Sequence, residues 1–456
     1  MGPEPSPIVV LVDVTDTLSS PWVAGIQRVV RGVVGALSAR PDVRCVPIVR
    51  VDGSQRFRTL TAGERERLER PPPPAPPAAT APTVARRWVD SLDERLGPGT
   101  MRAARRVVRP LRAVQYWVRD QRLRLRAERL HRDAIVRVHT PGSVLLELDA
   151  VWNQVGVDRR RWYERLHRGG VSVVPFVHDL LPLEHPEWFV DSLVEVFDHT
   201  VRLQVEVADL VLTNSEATAR SVRSLAASLG RPRLDVAPVV LGADRPEEER
   251  DLVGVPVAPS GFTTLVVGTV EPRKNHRVVL DALRSIERDD PPTGVQLVVV
   301  GRAGWVADEV VEELRRRHGA SLTWIEDADD LALRSWYAAA DLVLVPSITE
   351  GYGLPVVEAL RAGVPVLSSD GGALEELGRR CPVAVELLDP LDPAAWAAAW
   401  RRHAVDDEHH ARAVRAARAA VVPNFSETAA QIVVALRGLG SSGPAPGGGA
   451  NGEGRA

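Results

Sequence analysis

Apolar residues run almost unbroken over residues 8–14 (Ile-Val-Val-Leu-Val-Asp-Val), the pattern of a parallel strand buried on both faces. Behind Gly25, apolar residues at Ile26, Val29, Val30, Val33 and Leu37 recur at helical spacing and predict an amphipathic helix. A strand is expected at 43–51, and the alternation breaks at about residue 62. It resumes with strands at 143–148, 171–177, 210–213 and 234–240, between which 189–208 and 216–228 read as helices. A second series places strands at 263–267, 296–300, 322–325, 341–345, 365–368 and 382–386. Helices are expected beside them at 276–286, 307–318, 328–339, 355–362, 373–378 and 392–403. Residues 241–260, rich in Pro, Gly and acid, read as the linker between the series. The pattern predicts an α/β protein of two Rossmann-like, doubly wound domains facing each other across a cleft.

The domains expected are 1–245, carrying an insertion at 62–137, and 246–424. A helix at 425–437 would pack back on the N-terminal domain, and the Gly/Ser/Pro-rich tail 438–456 would be disordered. The insertion opens with Glu64-Arg65-Glu66-Arg67, passes through the proline run 71–77 and becomes arginine-rich. Residues 102–137 hold twelve arginines against Asp120, Glu128 and Asp133, a net of +9 in a chain of net −3, so the remainder is −12. Val107, Val108, Leu111, Val114, Trp117 and Val118 give this stretch an apolar stripe at helical spacing. Two readings stand: a helix lying on an anionic membrane surface, or a solvated helical excursion packed on the N-terminal domain.

Composition narrows the function classes. A near-neutral chain is no general nucleic-acid binder. No apolar stretch approaches the ~20 residues of a spanning helix, and the start lacks a signal-peptide pattern. Two distant cysteines, Cys45 and Cys381, fit a reducing cytosol better than a disulfide framework or a cysteine metal site. A cytoplasmic protein is expected, peripheral at the inner membrane face if 102–137 binds lipid. Of 57 basic residues only Lys274 is a lysine. Where arginine serves every generic positive charge, a lone ammonium suggests a point-charge role, although a chance survivor would look the same.

Ligands of open parallel sheets bind beyond the carboxyl ends of strands, against helix N-termini. Gly268-Thr269-Val270-Glu271-Pro272-Arg273-Lys274-Asn275 lies at such an end and joins two cations to a helix start, as a diphosphate requires; a basic pair in a loop is also often merely solvated. Glu350-Gly351-Tyr352-Gly353-Leu354-Pro355-Val356-Val357-Glu358 enters a helix at Pro355, and both carboxylates would face one pocket as acceptors for sugar or ribose hydroxyls. His178-Asp179 ends a third strand, where a histidine is either functional or only hydrogen-bonded in place. Gly301-Arg302-Ala303-Gly304-Trp305 follows a fourth, with Trp305 read as packing.

The Glu350…Glu358 spacing, with its flanking Ala340–Ser347 and Ala362–Val366, resembles the E-x7-E signature of the GT-B glycosyltransferases of glycosyltransferase family 4. Gly-Thr-Val-Glu-Pro-Arg-Lys-Asn is similar to the phosphate loop of a mannosyltransferase-like subgroup. Residues 176–182, 213–216 and the early glycine segment Ala24-Gly25-Ile26-Gln27-Arg28 are also similar to that family. The resemblance implies a retaining, metal-independent hexosyltransferase with no cofactor beyond a nucleoside-diphosphate sugar, GDP-mannose favoured. The acceptor would be a glycan or lipid-linked glycan in polysaccharide synthesis. It assigns Lys274 and Arg273 to the diphosphate, Glu350 to the donor sugar, Glu358 to the ribose, and the backbone of Gly351, Tyr352, Gly353 and Leu354 to sugar or phosphate. His178 would sit near the anomeric centre and Gly25 near the phosphates. Thr269 stands where many relatives carry arginine.

Rival readings are a GT-B nucleotide-sugar epimerase, an inactive glycan-binding or scaffold partner, and an NAD-binding enzyme. The last lacks a G-x-G-x-x-G after the first strand of either half. No carboxylate or Cys/His cluster has convincing metal spacing.

Overall fold

The computed structural model describes residues 6–20, 25–51, 56–70, 141–154, 158–243, 261–288, 294–304, 307–319 and 321–439. The basic stretch 102–137, Trp305 and the tail from 440 lie outside the described residues.

Two sheets carry the chain. The first contains β1 (Ile8–Asp13), β2 (Val43–Arg50), β3 (Phe57–Thr59), β4 (Val144–Glu147), β5 (Ser172–Val177), β6 (Val211–Thr213) and β7 (Val236–Pro238). Their spatial order is β3-β2-β1-β4-β5-β6-β7, parallel except for β3. Around it run α1 (Thr15–Ser19), α2 (Gly25–Ser38), α3 (Ala62–Glu69), α4 (Arg159–Arg168), α5 (Leu181–Glu184), α6 (Asp191–Val207) and α7 (Glu216–Ser228).

The second sheet contains β8 (Phe262–Val267), β9 (Val295–Val300), β10 (Leu322–Ile325), β11 (Leu342–Val345), β12 (Val366–Ser369) and β13 (Val385–Leu388). It is wholly parallel, in the order β10-β9-β8-β11-β12-β13. Its helices are α8 (His276–Ile286), α9 (Asp308–Arg317), α10 (Asp330–Ala339), α11 (Leu354–Arg361), α12 (Ala373–Arg380), α13 (Pro393–Val405) and α14 (Asp407–Ala419). A last helix, α15 (Phe425–Gly438), returns to pack against α2 of the first lobe.

The expected pair of doubly wound α/β units is therefore present, and its central strands are buried as their apolar runs require: β4 and β11 are buried throughout. Trp396 and Trp400, one turn apart on α13, are fully buried in the second lobe, and side chains of this size are worth about 3–5 kcal/mol each on truncation. Their indole N–H groups donate to the Asp389 carbonyl at 2.9 Å and to Thr264 Oγ1 at 2.7 Å.

Several elements were not expected. Helix α3, held by a Thr61–Glu64 capping box, lies where the alternation breaks at residue 62, and the short antiparallel β3 precedes it. Helices α1, α4 and α14 were also missed; α14 buries only Ala413 and Ala417, too weak an apolar period to recognise.

In each sheet the strand order reverses beside the first strand, between β1 and β4 and between β8 and β11. A crevice opens at the carboxyl ends of such neighbours. The loops after β8 and β11 are those that hold Lys274 and Glu350.

Candidate active site

The loop after β8 closes in a tight 3-10 turn over Pro272–Lys274, and Asn275 takes a left-handed φ of 51° before α8 begins. Asparagine tolerates that conformation better than most residues, and its Nδ2 donates to the Pro390 carbonyl at 2.7 Å. A backbone bond from Ile348 N to Arg273 O at 2.8 Å ties this loop to the one after β11.

The result is a charge cluster centred on Glu350. Lys274 Nζ lies 2.5 Å from its Oε1 and Arg273 Nη1 lies 2.8 Å from its Oε2. Ser347 Oγ donates to Oε1 at 2.7 Å. Burial alone would raise the Glu350 carboxyl, but Lys274 and Arg273 outweigh it and hold the group down to about 2. Arg273 Nε also meets Glu271 Oε1 at 2.7 Å, so this guanidinium is divided between two carboxylates. Lys274 has three donors and spends one on Glu350, which leaves two for a ligand.

Past Glu350 the chain turns sharply into α11. Gly353 has a φ of 96° and caps the helix with no side-chain hydrogen bond. Pro355 has no N–H and Val356 donates to the Gly353 carbonyl at 3.0 Å, so the Leu354 N–H remains for an anion or hydroxyl. Leu354 is the first helical residue, and a β-carbon on Gly25, which opens α2, would lie 3.4 Å from Leu354 Cδ1. The Tyr352 ring is buried and turned to the interlobe crossing, where its hydroxyl donates to the Leu241 carbonyl. Only its backbone faces the role expected of it.

Gly351 lies against the opposite lobe: a β-carbon there would fall 2.1 Å from the His178 carbonyl oxygen. Thr218 Oγ1, 3.3 Å from the Gly351 carbonyl, joins the same contact from α7. His178 is buried at the end of β5, with Nε2 2.8 Å from the Leu148 carbonyl. A carbonyl only accepts, so the ring proton sits on Nε2 and Nδ1 is a bare acceptor. Burial pushes this imidazole down to about 4 despite that bond. The neighbouring Asp179 carboxyl is raised by burial, an effect opposed by Arg273 across the cleft.

Glu358, one turn into α11, is gripped from both lobes. Tyr337 on α10 donates to Oε2 at 2.8 Å, and Arg28 on α2 donates to Oε1 at 2.7 Å. Lys274, Arg273, Glu350 and the turn 351–354 thus form one locus, His178 meets it through Gly351, and Gly25 and Glu358 lie at its α2 side. The sequence reading missed Ser347, Arg28 and Tyr337. Arg28 stood in a segment quoted for its glycine; nothing local distinguishes Tyr337.

On the first lobe, the wall beside His178 is polar. Asp149 accepts from Thr17 N at 2.7 Å and Thr17 Oγ1 at 3.0 Å, and burial beside Asp13 and Asp16 pushes it up to about 7. Asp16 accepts from Gln27 and Asn153 at 3.1 and 2.9 Å. Carboxylates and amides of this kind suit hydroxyl-rich ligands.

Elsewhere a cavity of about 240 Å³ is lined by Glu386, His403, His409 and Arg412, and one ligand atom from each of the first three lies within 4.8 Å of the others. Glu386 accepts from Arg402, and Arg412 donates to His409 Nδ1 at 3.1 Å, which places that ring's proton on Nε2. Guanidinium groups therefore already occupy lone pairs that a cation would need. No helix of the described residues is long and apolar enough to cross a membrane.

Comparison with known proteins agrees with this architecture. Residues 261–407 match the family described as Glycosyl transferases group 1. The serotype-specific mannosyltransferase WbdA of Escherichia coli is 30% identical over 232 residues, covering 47% of this chain and 28% of that protein. The D-inositol 3-phosphate glycosyltransferase 2 of Catenulispora acidiphila is 29% identical over 256 residues, covering 52% of this chain and 57% of that protein. The chain thus spans less than two thirds of the length of either relative. Among solved structures, HepE of Anabaena in complex with UDP and glucose superposes with a TM-score of 0.59 at 17% identity, covering 94% of this chain and 100% of that one. The two parallel α/β sheets are those of a GT-B fold. Over residues 261–407 the chain is thus similar to the group 1 glycosyl transferases.

Proposed function

We propose that the protein is a retaining glycosyltransferase that moves a hexosyl group, mannose favoured, from a nucleoside-diphosphate sugar to a hydroxyl of a glycan or lipid-linked glycan. The observation that carries this reading is the ionised Glu350 between Lys274 and Arg273, at a switch-point crevice, with His178 of the other lobe against the adjoining Gly351. A carboxylate so held keeps one acceptor position, on Oε2, for a sugar hydroxyl, and the imidazole accepts one from the opposite wall. The two free donors of Lys274 and the uncapped start of α11 neutralise the leaving diphosphate. Arg273 commits Nε to Glu271 and Nη1 to Glu350 and keeps further guanidinium donors for the diphosphate. The acceptor hydroxyl attacks the anomeric carbon from the face that the diphosphate leaves. Its oxygen forms the new glycosidic bond, and its proton passes to the departing phosphate oxygen. Rate enhancement comes from charge stabilisation and alignment.

The mannose preference rests on the WbdA likeness, and HepE, solved with UDP and glucose, keeps a uridine donor in view. An epimerase is disfavoured because a carboxyl held at about 2 stays ionised and makes a poor general acid near neutral pH. The nucleotide part of the proposal is tested by thermal unfolding with GDP, UDP and NAD. A diphosphate at about 100 times its Kd adds about 2.7 kcal/mol, so GDP or UDP should raise Tm while NAD leaves it unmoved. Stabilisation by NAD alone would overturn the reading.

A further inference from the structure

The interlobe grip on Glu358 is more specific than an ion pair. Arg28 Nη1 meets Oε1 of Glu358, and its Nη2 lies 3.4 Å from Oδ1 of Asp330 at the start of α10. One planar fork thus spans two carboxylates on the opposite lobe. Its Nε is buried without a partner, so the arginine is not placed there for the fullest pairing of its own donors. On the other side, Tyr337 fixes Oε2. A carboxylate offers about four acceptor positions, two on each oxygen. Arg28 and Tyr337 take one on each, which leaves one on each. Two acceptors a carboxylate width apart, locked against rotation, match the paired donors of a ribose diol.

We propose that Arg28 is a positioning residue for the donor's ribose: from the first lobe it orients the Glu358 carboxylate, so recognition of the sugar hydroxyls depends on the lobes being closed. This rests on the reading of the cleft as a nucleoside-diphosphate-sugar site. Lysine would keep the charge but lose the fork that reaches Glu358 and Asp330 together.

The test is calorimetric titration of the full chain with GDP and UDP, followed by the 2′,3′-dideoxy form of whichever binds more tightly. The wild-type protein should lose about 10-fold or more in affinity for the dideoxy nucleotide, because hydrogen bonds to a charged acceptor are forfeited. In Arg28→Gln that ratio should collapse to about twofold while the diphosphate still binds, and Arg28→Lys should fall between. A bridge that merely held the lobes together would weaken both nucleotides equally. An unchanged ratio in Arg28→Gln would therefore overturn the proposal. If Arg28→Gln does not fold by circular dichroism, Arg28→Lys decides alone, and an undiminished ratio there overturns it. A wild-type ratio near one, or no binding of either nucleotide, would instead remove the reading of Glu358 as a ribose ligand, and the proposal with it.

Discussion

His178 carries the most readable pH signature of the site. Burial holds its imidazole at about 4, against 6.5 for a free side chain, so the neutral ring persists far into acid. The unfolded chain binds a proton between those values that the folded chain refuses, so this residue's share of stability is lost as pH falls from 6.5 to 4. If the bare Nδ1 receives a donor hydroxyl, kcat/KM should stay level down to about pH 5.5 and fall only towards 4. His178→Asn should lower activity about 100-fold and abolish that acidic limb; a wild-type limb centred at 6.5, or one that survives the substitution, would contradict this role. At this scale the sequence told much. Lys274 stands out as the sole lysine, and Glu350 and Glu358 by their spacing. Their partners did not, because a contact such as Arg28 to Glu358 joins residues 330 positions apart.

The turn between β11 and α11 shows how an element can set the distance between lobes. At Gly351 the absence of a side chain lets the loop reach the end of β5, since a β-carbon would stand 2.1 Å from the His178 carbonyl and 2.8 Å from Asp179 Cβ. Gly351→Ala should push the lobes apart by roughly an ångström and cost up to about 100-fold in kcat, while the second lobe keeps its fold. Transfer kinetics beside near-ultraviolet circular dichroism would check it, and full activity would show that the contact is dispensable. Buried parallel strands such as β8 and β11 were legible from their apolar runs. Helix α4, with Trp162, Tyr163 and Leu166 buried among arginines, was not, because its periodic signal is three residues long.

Across the whole molecule, closure is written in polar contacts from several elements. Glu376 on α12 accepts from the first N–H groups of α7, Glu216 at 3.1 Å and Ala217 at 2.6 Å. Arg361 on α11 reaches the carbonyls of Ala243 and Val422, where the chain crosses between lobes. A buried apolar cluster continues from β1 through Phe425 and Ile432 of α15 to β11. The repetition of two βα series made the pair of units legible. How closely they approach was not, because it depends on side chains distributed over the full chain. The central claim is that this closed cleft transfers a sugar through Lys274. Wild-type protein and Lys274→Ala should therefore be incubated with labelled GDP-mannose and UDP-glucose and a lipid-linked glycan extract, with product followed by chromatography. The account predicts labelled glycan with a retained anomeric configuration from one donor, and at least about 100-fold less from the variant despite an intact fold. Equal turnover by Lys274→Ala, or an inverted product, would contradict it.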